Sequence, residues 1–136
     1  SIKKHEGFRN KVYKDTLGKR TIGYGHLCVE DWWEDDKEYP EAQLDRIFDK
    51  DFDKAKEGAS KLYEGCEIND TAKGVIIEMV FQLGTTGVSK FKNMWKALKE
   101  TPPNYSVAKI EMLDSRWAKQ TPNRAKELSN TIGGMV

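Results

Sequence analysis

Residues 5–27 read HEGFRNKVYKDTLGKRTIGYGHL, and this stretch predicts a β-hairpin that follows a short helical turn. The run around Val12 is strand-forming, Asp15 and Gly18 are residue types favoured in turns, and β-favouring residues resume at Thr21. The hairpin is therefore expected to place Asp15 at the end of its first strand and Thr21 at the start of its second, with the two side chains close together.

The polar residues of this stretch suit hydrolytic chemistry. Gly7 is expected to end the helical turn directly after Glu6, so that the Glu6 carboxyl faces the hairpin. A carboxylate at Asp15 and a hydroxyl at Thr21 could hold one water between them while Glu6 supplies a proton, which is general acid and base catalysis on a polar bond. In the alternative interpretation, Glu6 and Asp15 are ordinary surface acids.

Three blocks of the chain, in the same order, resemble the phage-type lysozymes. The first is residues 5–27, and the other two are MVFQLGTTGVSKFKNM at 79–94 and SRWAKQTPNRAK at 115–126, which are similar to the C-terminal half of the T-even phage endolysin-like muramidases. Three matching blocks in order are far more specific than one short motif. The resemblance therefore runs through nearly the whole chain.

The resemblance implies which residues act on the substrate. The catalytic glutamate, aspartate and threonine of the family fall here on Glu6, Asp15 and Thr21. The substrate-binding positions of the family's cleft fall on Leu27, Phe81 and Gln82. No metal or organic cofactor is implied. The expected reaction is hydrolysis, by inversion, of the β-1,4 bond between N-acetylmuramic acid and N-acetylglucosamine in bacterial peptidoglycan.

Two alternatives to a free enzyme stay open. One is a lysozyme domain of a phage tail baseplate protein, which would perform the same chemistry in another setting. The other is a non-catalytic wall-binding homologue, whose expected mark is the loss of a catalytic residue. The chain retains Glu6, Asp15 and Thr21, which favours an enzyme.

The predicted fold class is α+β, mostly helical and lysozyme-like, in a single domain of 1–136. It comprises a small N-terminal lobe at 8–38 with the hairpin, a helical lobe of 58–136 plus 1–7, and a long connecting helix at 40–57. Apolar residues at three-four spacing from Leu44 to Ala55 predict the connecting helix, and Pro40 suits its first turn.

One acidic residue, Asp51, falls in the middle of the apolar face of the connecting helix. A carboxylate on an apolar face is costly unless it is paired. His26 is the candidate cation, as the resemblance also suggests, so a structural ion pair between His26 and Asp51 is predicted. In the alternative, Asp51 lies at the edge of that face and is solvated.

Further helices are predicted in the C-terminal part. Residues 71–83 are apolar on every side, which requires burial within a helical bundle. Shorter helices are predicted near 90–99, 104–113 and 122–131, the last with Thr121 as its N-cap. On this pattern alone Phe81 is a core residue, and only the resemblance places it in the cleft.

Composition limits the possible partners. The formal net charge is +1, from 23 basic and 22 acidic side chains, which gives no electrostatic case for nucleic acid. The sequence has no run of about 18 apolar residues, so no membrane insertion is expected. At 136 residues the chain can bury one core, and a monomer is expected.

The N-terminus shows no signal-peptide pattern. We therefore expect synthesis in the host cytoplasm and action on the cell wall from the periplasm. The two cysteines, Cys28 and Cys66, are too few for a metal cluster of the usual spacing. In a reducing compartment both are expected as free thiols rather than as a disulfide.

The resemblance does not cover residues 30–38, EDWWEDDKE, which hold six acids and one lysine. We favour a solvated loop in which one of Trp32 and Trp33 anchors the segment against the hairpin. In the alternative, the other tryptophan offers its ring to a sugar at the rim of the cleft. Met94 and Glu111 stand where the family presents small polar side chains to the sugar, so altered subsite preferences are expected.

Overall fold

The computed structural model describes residues 3, 7–15 and 18–134 of the 136-residue chain. Within these residues the chain forms a three-stranded antiparallel sheet followed by six helices, whose bounds are given below. The predicted α+β, mostly helical fold class is confirmed. The chain divides into two compact units, Ser1–Lys54 and Ala55–Val136, which we call the hairpin unit and the helical unit.

The sheet of the hairpin unit contains β1 (Arg9–Lys14), β2 (Arg20–Gly23) and β3 (His26–Leu27), in that spatial order. β1 and β2 are antiparallel, with Tyr13 opposite Thr21. β3 is antiparallel to β2, with Leu27 opposite Thr21 and His26 opposite Ile22. Thr21 therefore lies in the central strand, between Tyr13 and Leu27.

The predicted turn between Asp15 and Thr21 is present. The Asp15 N–H donates to the Lys19 carbonyl oxygen at 2.9 Å, and the Gly18 N–H donates to the Asp15 carbonyl oxygen at 2.9 Å. Gly18 has a φ of 78°, a conformation that glycine adopts without the steric cost of a side chain. Asp15 lies one residue beyond the end of β1, and Thr21 is the second residue of β2.

A small apolar core holds the hairpin unit together. Ile22, Trp33, Tyr39 and Leu44 are buried in it. The Trp33 and Tyr39 rings pack edge to face with their centroids 4.8 Å apart, a favoured geometry for aromatic pairs. Trp33 is therefore the anchor of the 30–38 segment, as the sequence predicted for one of its two tryptophans.

The long helix α1 (Glu41–Leu62) begins one residue after Pro40, and it ends five residues beyond the predicted end at 57. The extension has a local cause. Ala59 is fully buried, and Lys61 lies 3.9 Å from Glu57 in an i,i+4 ion pair that favours the helix.

Five more helices form the helical unit. They are α2 (Asp70–Ser89), α3 (Lys92–Leu98), α4 (Tyr105–Leu113), α5 (Arg116–Gln120) and α6 (Pro122–Gly133). Asn69 caps α2 by accepting from the Ala72 N–H at 2.9 Å. Gly84 interrupts α2 with a φ of 81°, so the predicted end at residue 83 coincides with a kink, beyond which the helix resumes. Among the described residues, no helix is long and apolar enough to cross a membrane.

The core of the helical unit receives buried side chains from α1 to α6. Its largest fully buried members are Ile76, Met79, Val88, Met94, Leu98, Met112 and Ile132. Burial of each such side chain contributes about 1.5–3 kcal/mol relative to exposure. This unit is therefore stabilised by a core of its own.

Two features near residue 120 differ from the prediction. Helix α5 was not predicted, and Ser115 caps it by accepting from the Ala118 N–H at 3.1 Å. Thr121 is the N-cap residue of α6, as predicted, but its hydroxyl makes no capping bond to the helix backbone. The hydroxyl donates instead to the Trp117 carbonyl oxygen at 3.0 Å, which also accepts from the Thr121 N–H at 2.8 Å where α5 ends.

Both cysteines are free thiols. Burial raises the pKa of the Cys28 thiol and that of the Cys66 thiol. Each is therefore less ionised, and less reactive, than an exposed cysteine at neutral pH.

Candidate active site

The end of the hairpin brings the Asp15 and Thr21 side chains to the backbone of one residue, Lys19. The Lys19 N–H donates to Asp15 Oδ1 at 2.9 Å. The Thr21 hydroxyl donates to the Lys19 carbonyl oxygen at 2.9 Å, and Thr21 is only 3% exposed. The tight turn thus orients a carboxylate and a hydroxyl six positions apart in sequence, without using the Lys19 side chain.

The third matched catalytic residue, Glu6, lies outside the described residues. Next to it in sequence, Gly7 has a φ of 67°, the conformation typical of a residue that ends a helical turn. The Gly7 N–H donates to the Lys3 carbonyl oxygen at 3.0 Å. The backbone directly after Glu6 therefore has the conformation that the sequence predicts.

Leu27, the predicted substrate-binding residue of the hairpin unit, is 42% exposed at the end of β3. It lies opposite Thr21 in the strand register. Val29, two residues further along, is also exposed. An exposed apolar surface thus adjoins the strand that carries Thr21.

The expected contact between His26 and Asp51 is present, and a second carboxylate joins it. His26 Nδ1 lies 2.8 Å from Asp51 Oδ2, and His26 Nε2 lies 2.9 Å from Glu30 Oε1. The same Glu30 oxygen accepts from the Trp33 indole N–H at 2.6 Å. His26 therefore connects α1 to the 30–38 segment through both of its ring nitrogens.

These contacts set the protonation of the histidine. The hydrogen bond to the Asp51 carboxylate raises the pKa of His26, burial opposes it, and Glu30 raises it further, so that it lies at about 9 against an ordinary 6.5. Burial raises the pKa of Glu30, but the hydrogen bonds from His26 and Trp33 outweigh burial and lower it overall. At neutral pH the ring is thus an imidazolium that donates from both nitrogens.

The two adjacent tryptophans have opposite environments. Trp33 is 4% exposed, whereas Trp32 is 58% exposed. Their ring centroids are 6.0 Å apart, so the exposed ring rests beside the buried one. The Arg20 guanidinium also donates to the Trp33 carbonyl oxygen at 3.0 Å and to Asp35 Oδ1 at 3.0 Å. The segment that carries Trp32 is therefore tied to β2 as well as to His26.

In the helical unit, the predicted substrate-binding residue Gln82 is oriented by two neighbours. Its Oε1 accepts from the Trp117 indole N–H at 2.9 Å, and its Nε2 donates to the Thr121 hydroxyl at 3.3 Å. Phe81, the other predicted contact, is half-buried and packs against the core. The sequence pattern placed Phe81 in the core, and this is correct for the buried part of its side chain.

A recess of about 410 Å³ opens in the helical unit around Trp117 and Phe91. Both Met94 and Glu111 line this recess. These are the two residues that stand where the resemblance leads us to expect small polar side chains. Met94 is fully buried and Glu111 is half-buried. Met94 therefore shapes the floor of the recess but exposes almost none of its own surface.

Three residues of these networks were not singled out from the sequence. Glu30 appeared only as one acid of a charge run, although its i,i+4 spacing from His26 is a usable signal. Lys19 acts through its backbone, which no side-chain pattern reveals. Trp117 contacts Gln82 from 35 positions away.

Among the described residues, no group of three histidine, cysteine or acidic side chains is arranged to hold a metal ion.

Comparison with known proteins identifies the family. The family model described as Phage lysozyme matches residues 3–131. Probable T4-type lysozyme 2 of Dictyostelium discoideum is 30% identical over 153 residues, covering 93% of this chain and 88% of that protein. Probable T4-type lysozyme 1 of the same organism is 30% identical over 157 residues, covering 96% of this chain and 90% of that protein. The Pre-baseplate central spike protein Gp5 of Enterobacteria phage T4 is 27% identical over 159 residues, covering 96% of this chain and 26% of that protein.

The matched family model spans nearly all of the chain, and the two Dictyostelium relatives are aligned over most of their own length. Each alignment is longer than the 136 residues of this chain, so the relatives carry residues that it lacks. The resemblance inferred from the three sequence blocks is confirmed. The chain therefore belongs to the phage lysozyme family and is a muramidase, a glycoside hydrolase.

Proposed function

We propose that this muramidase hydrolyses the β-1,4 bond between N-acetylmuramic acid and N-acetylglucosamine of bacterial peptidoglycan, with inversion at the anomeric carbon. Glu6 protonates the leaving oxygen, and a water held by Asp15 and Thr21 attacks from the opposite face. Membership of the lysozyme family supports the substrate. The match of the three residues to the family's catalytic positions supports their roles, and for Glu6 this match is the only support.

The observation that carries the proposal is the hydrogen bonding of Asp15 and Thr21 to Lys19. Thr21 donates its single hydroxyl proton to the Lys19 carbonyl oxygen at 2.9 Å, so toward a water its oxygen acts as an acceptor. Asp15 accepts from the Lys19 N–H at 2.9 Å, and an ionised carboxylate offers about four lone-pair sites in all. Each group can therefore act as an acceptor toward a water, and the proposal is that they share one.

A water that donates to two acceptors has its lone pairs directed away from them. This orientation suits attack on a sugar carbon, because the nucleophilic lone pair points out of the hairpin. As the new C–O bond forms, Asp15 takes the proton of the water as general base, while Glu6 gives its proton to the departing sugar oxygen. The reaction consumes one water and returns the total proton count to its starting value.

The stereochemistry of the product tests this mechanism. A bound water requires the Glu6 and Asp15 carboxyls to lie roughly 6.5–9.5 Å apart and inverts the anomeric carbon, whereas a spacing of about 5 Å implies a covalent intermediate and retention. Proton NMR of the fresh reducing end, recorded before mutarotation, is expected to show the α-anomer first. Initial formation of the β-anomer would overturn the water mechanism.

We assign the sugar contacts to Leu27 in the hairpin unit and to Phe81 and Gln82 in the helical unit. Leu27 offers exposed apolar surface, which suits the acetyl and ring-face carbons of an amino sugar. Gln82 offers an amide held by Trp117 and Thr121, and a pre-oriented amide loses little entropy when it binds a sugar substituent. Substrate affinity of Gln82→Ala, measured on an inactive background, tests the assignment.

For the biological setting, we propose a free lysozyme that is made in the host cytoplasm and acts on the wall from the periplasm. A tail-associated lysozyme domain is the second candidate, because the chain is also similar to a pre-baseplate spike protein. The full-length open reading frame separates the two settings. Clearing of outer-membrane-permeabilised Gram-negative cells tests turnover in either setting, and wall binding without clearing would indicate a non-catalytic homologue.

A further inference from the structure

The helical unit contains a second recess, separate in its lining from the residues assigned to the reaction. It has a volume of about 400 Å³ and is lined by Leu62, Ser89, Lys92, Trp95, Lys96 and Lys99. We call it the lysine recess. Half of its lining residues are thus lysines, and its apolar walls are a leucine and a tryptophan.

Two of the three lysines lie in α3, and the third, Lys99, is the C-cap residue directly after it. Lys92, Lys96 and Lys99 follow the i, i+4, i+7 spacing that places side chains on the same helix face. Lysines at i and i+4 repel each other, and Lys92 at the first residue of the helix also opposes the helix dipole. Lys96 in the last turn and Lys99 at the C-cap are favoured by the dipole, so the three exposed ammonium groups form a local concentration of positive charge.

No internal anion pairs with this charge in the part of the chain that the structure describes. There, no carboxylate lies within ion-pair distance of these three ammonium groups. The local sequence reinforces this, because residues 79–99 contain four lysines and no acidic residue. The three exposed ammonium groups are thus available to an anionic ligand.

The polar groups of the recess also limit the chemistry of that partner. Ammonium groups only donate hydrogen bonds. The Trp95 indole N–H donates to the Val88 carbonyl oxygen at 3.0 Å, so the small part of the ring that reaches the recess, in a residue that is 6% exposed, is apolar. The Ser89 hydroxyl proton is donated to the Thr86 carbonyl oxygen at 2.6 Å. A fitting ligand therefore carries an acceptor-rich anionic group and an apolar body.

We propose that the lysine recess is a binding site for a small organic phosphate, with the phosphate among the lysines and the apolar body on Leu62 and Trp95. Lysine binds phosphate as a compact point charge, as the lysine of phosphate-binding loops does. A phosphate monoester carries nearly two negative charges at neutral pH, which suits three clustered cations better than the single charge of a carboxylate.

The test uses the full chain and three probes: phenyl phosphate, inorganic phosphate and benzoate, each titrated at constant ionic strength with NMR detection of backbone amides. We expect saturable shifts around α3 with phenyl phosphate at a Kd below about 1 mM. Inorganic phosphate and benzoate should shift the same residues, and each should bind more weakly than phenyl phosphate does. Benzoate binding as tight as phenyl phosphate would overturn the phosphate assignment, and an absence of saturable shifts with all three would overturn the site.

Matched double variants provide the control. The double variant Lys96→Gln with Lys99→Gln should raise the Kd of phenyl phosphate by at least about tenfold, because each substitution removes a charge-assisted hydrogen bond. Lys119→Gln with Lys126→Gln removes the same charge from exposed positions outside the recess and should leave the Kd unchanged. Equal weakening in both pairs would mean general electrostatic attraction and would refute a built site. Wall-clearing activity should be the same in all variants, so this test is independent of the proposed mechanism.

Discussion

Asp15 and Thr21 are hydrogen-bonded to the backbone of the same residue, Lys19, the first through an acceptor oxygen and the second through a donor hydroxyl, each at 2.9 Å. A side-chain substitution at Lys19 leaves both bonds in place, because both use backbone atoms. The orientation of the two groups is therefore a property of the turn rather than of a side-chain network.

The first prediction concerns Thr21. Thr21→Val keeps the side-chain shape but removes the hydroxyl, so the water loses one of its two acceptors and clearing activity should fall by at least about 100-fold. Thr21→Ser keeps the hydroxyl and should retain most activity, as should Lys19→Ala. Initial clearing rates and far-UV circular dichroism check this. A Thr21→Val enzyme with more than a tenth of the wild-type rate would contradict the assigned role.

The second prediction concerns the proton donor. Glu6→Gln should retain the fold and wall binding but lose at least the factor of about 100 that general acid catalysis typically provides. Glu38→Gln removes an exposed carboxyl elsewhere in the hairpin unit and serves as the matched control. Both variants are compared in turbidity clearing and in sedimentation with purified walls. Retention of more than half of the wild-type rate in Glu6→Gln would refute the mechanism.

The third prediction concerns the pH dependence of stability. The folded pKa of His26 is about 9 against 6.5, so its ion pairs contribute fully below about pH 6.5 and are lost as the pH rises toward 9. The pKa of Glu30 is lowered from 4.5, so its contribution is present above about pH 4.5 and is lost as the pH falls. Asp51→Asn should therefore cost more below about pH 6.5 than above pH 9, by about 1–3 kcal/mol at pH 5.5.

Urea unfolding at pH 5.5 and pH 10 measures this cost. Asp49→Asn, an exposed acid on the same helix, is the control and should change the free energy of unfolding by less than about 0.5 kcal/mol. Glu30→Gln should also lower the pKa of His26, but by less than Asp51→Asn does, because Asp51 is the larger cause of the shift. An Asp51→Asn cost that is the same at both pH values would exclude the charged pair.

The fourth prediction separates the two tryptophans. Trp33→Ala removes a buried ring and the donor to Glu30, so it should destabilise the protein by about 3–5 kcal/mol. Trp32→Ala removes an exposed ring and should change stability by less than about 0.5 kcal/mol. If Trp32 offers its ring to a sugar, Trp32→Ala should weaken chitooligosaccharide binding, whereas Val29→Ala should not. Unchanged affinity in Trp32→Ala would show that this ring is not a sugar contact.

The sequence by itself determined the hairpin, its turn and the positions of Asp15 and Thr21 on either side of that turn. These features depend on residues within about ten positions of one another, so local conformational preference decides them. The connecting helix, predicted at 40–57 and observed at 41–62, and the interruption after residue 83 were accessible for the same reason, since periodicity and glycine are local signals.

Only the tertiary structure decided which of two identical side chains is buried and which distant side chains bond to each other. Trp32 and Trp33 are the same residue type in the same charge run, and the core around Tyr39 accommodates one ring and leaves the other exposed. Thr121 occupies the predicted N-cap position, but its hydroxyl bonds to Trp117 and Gln82 rather than to the helix that it caps. His26 gained Glu30 in addition to Asp51. In each case the partner comes from packing between separate elements, and packing energy exceeds the small local preferences that sequence patterns report.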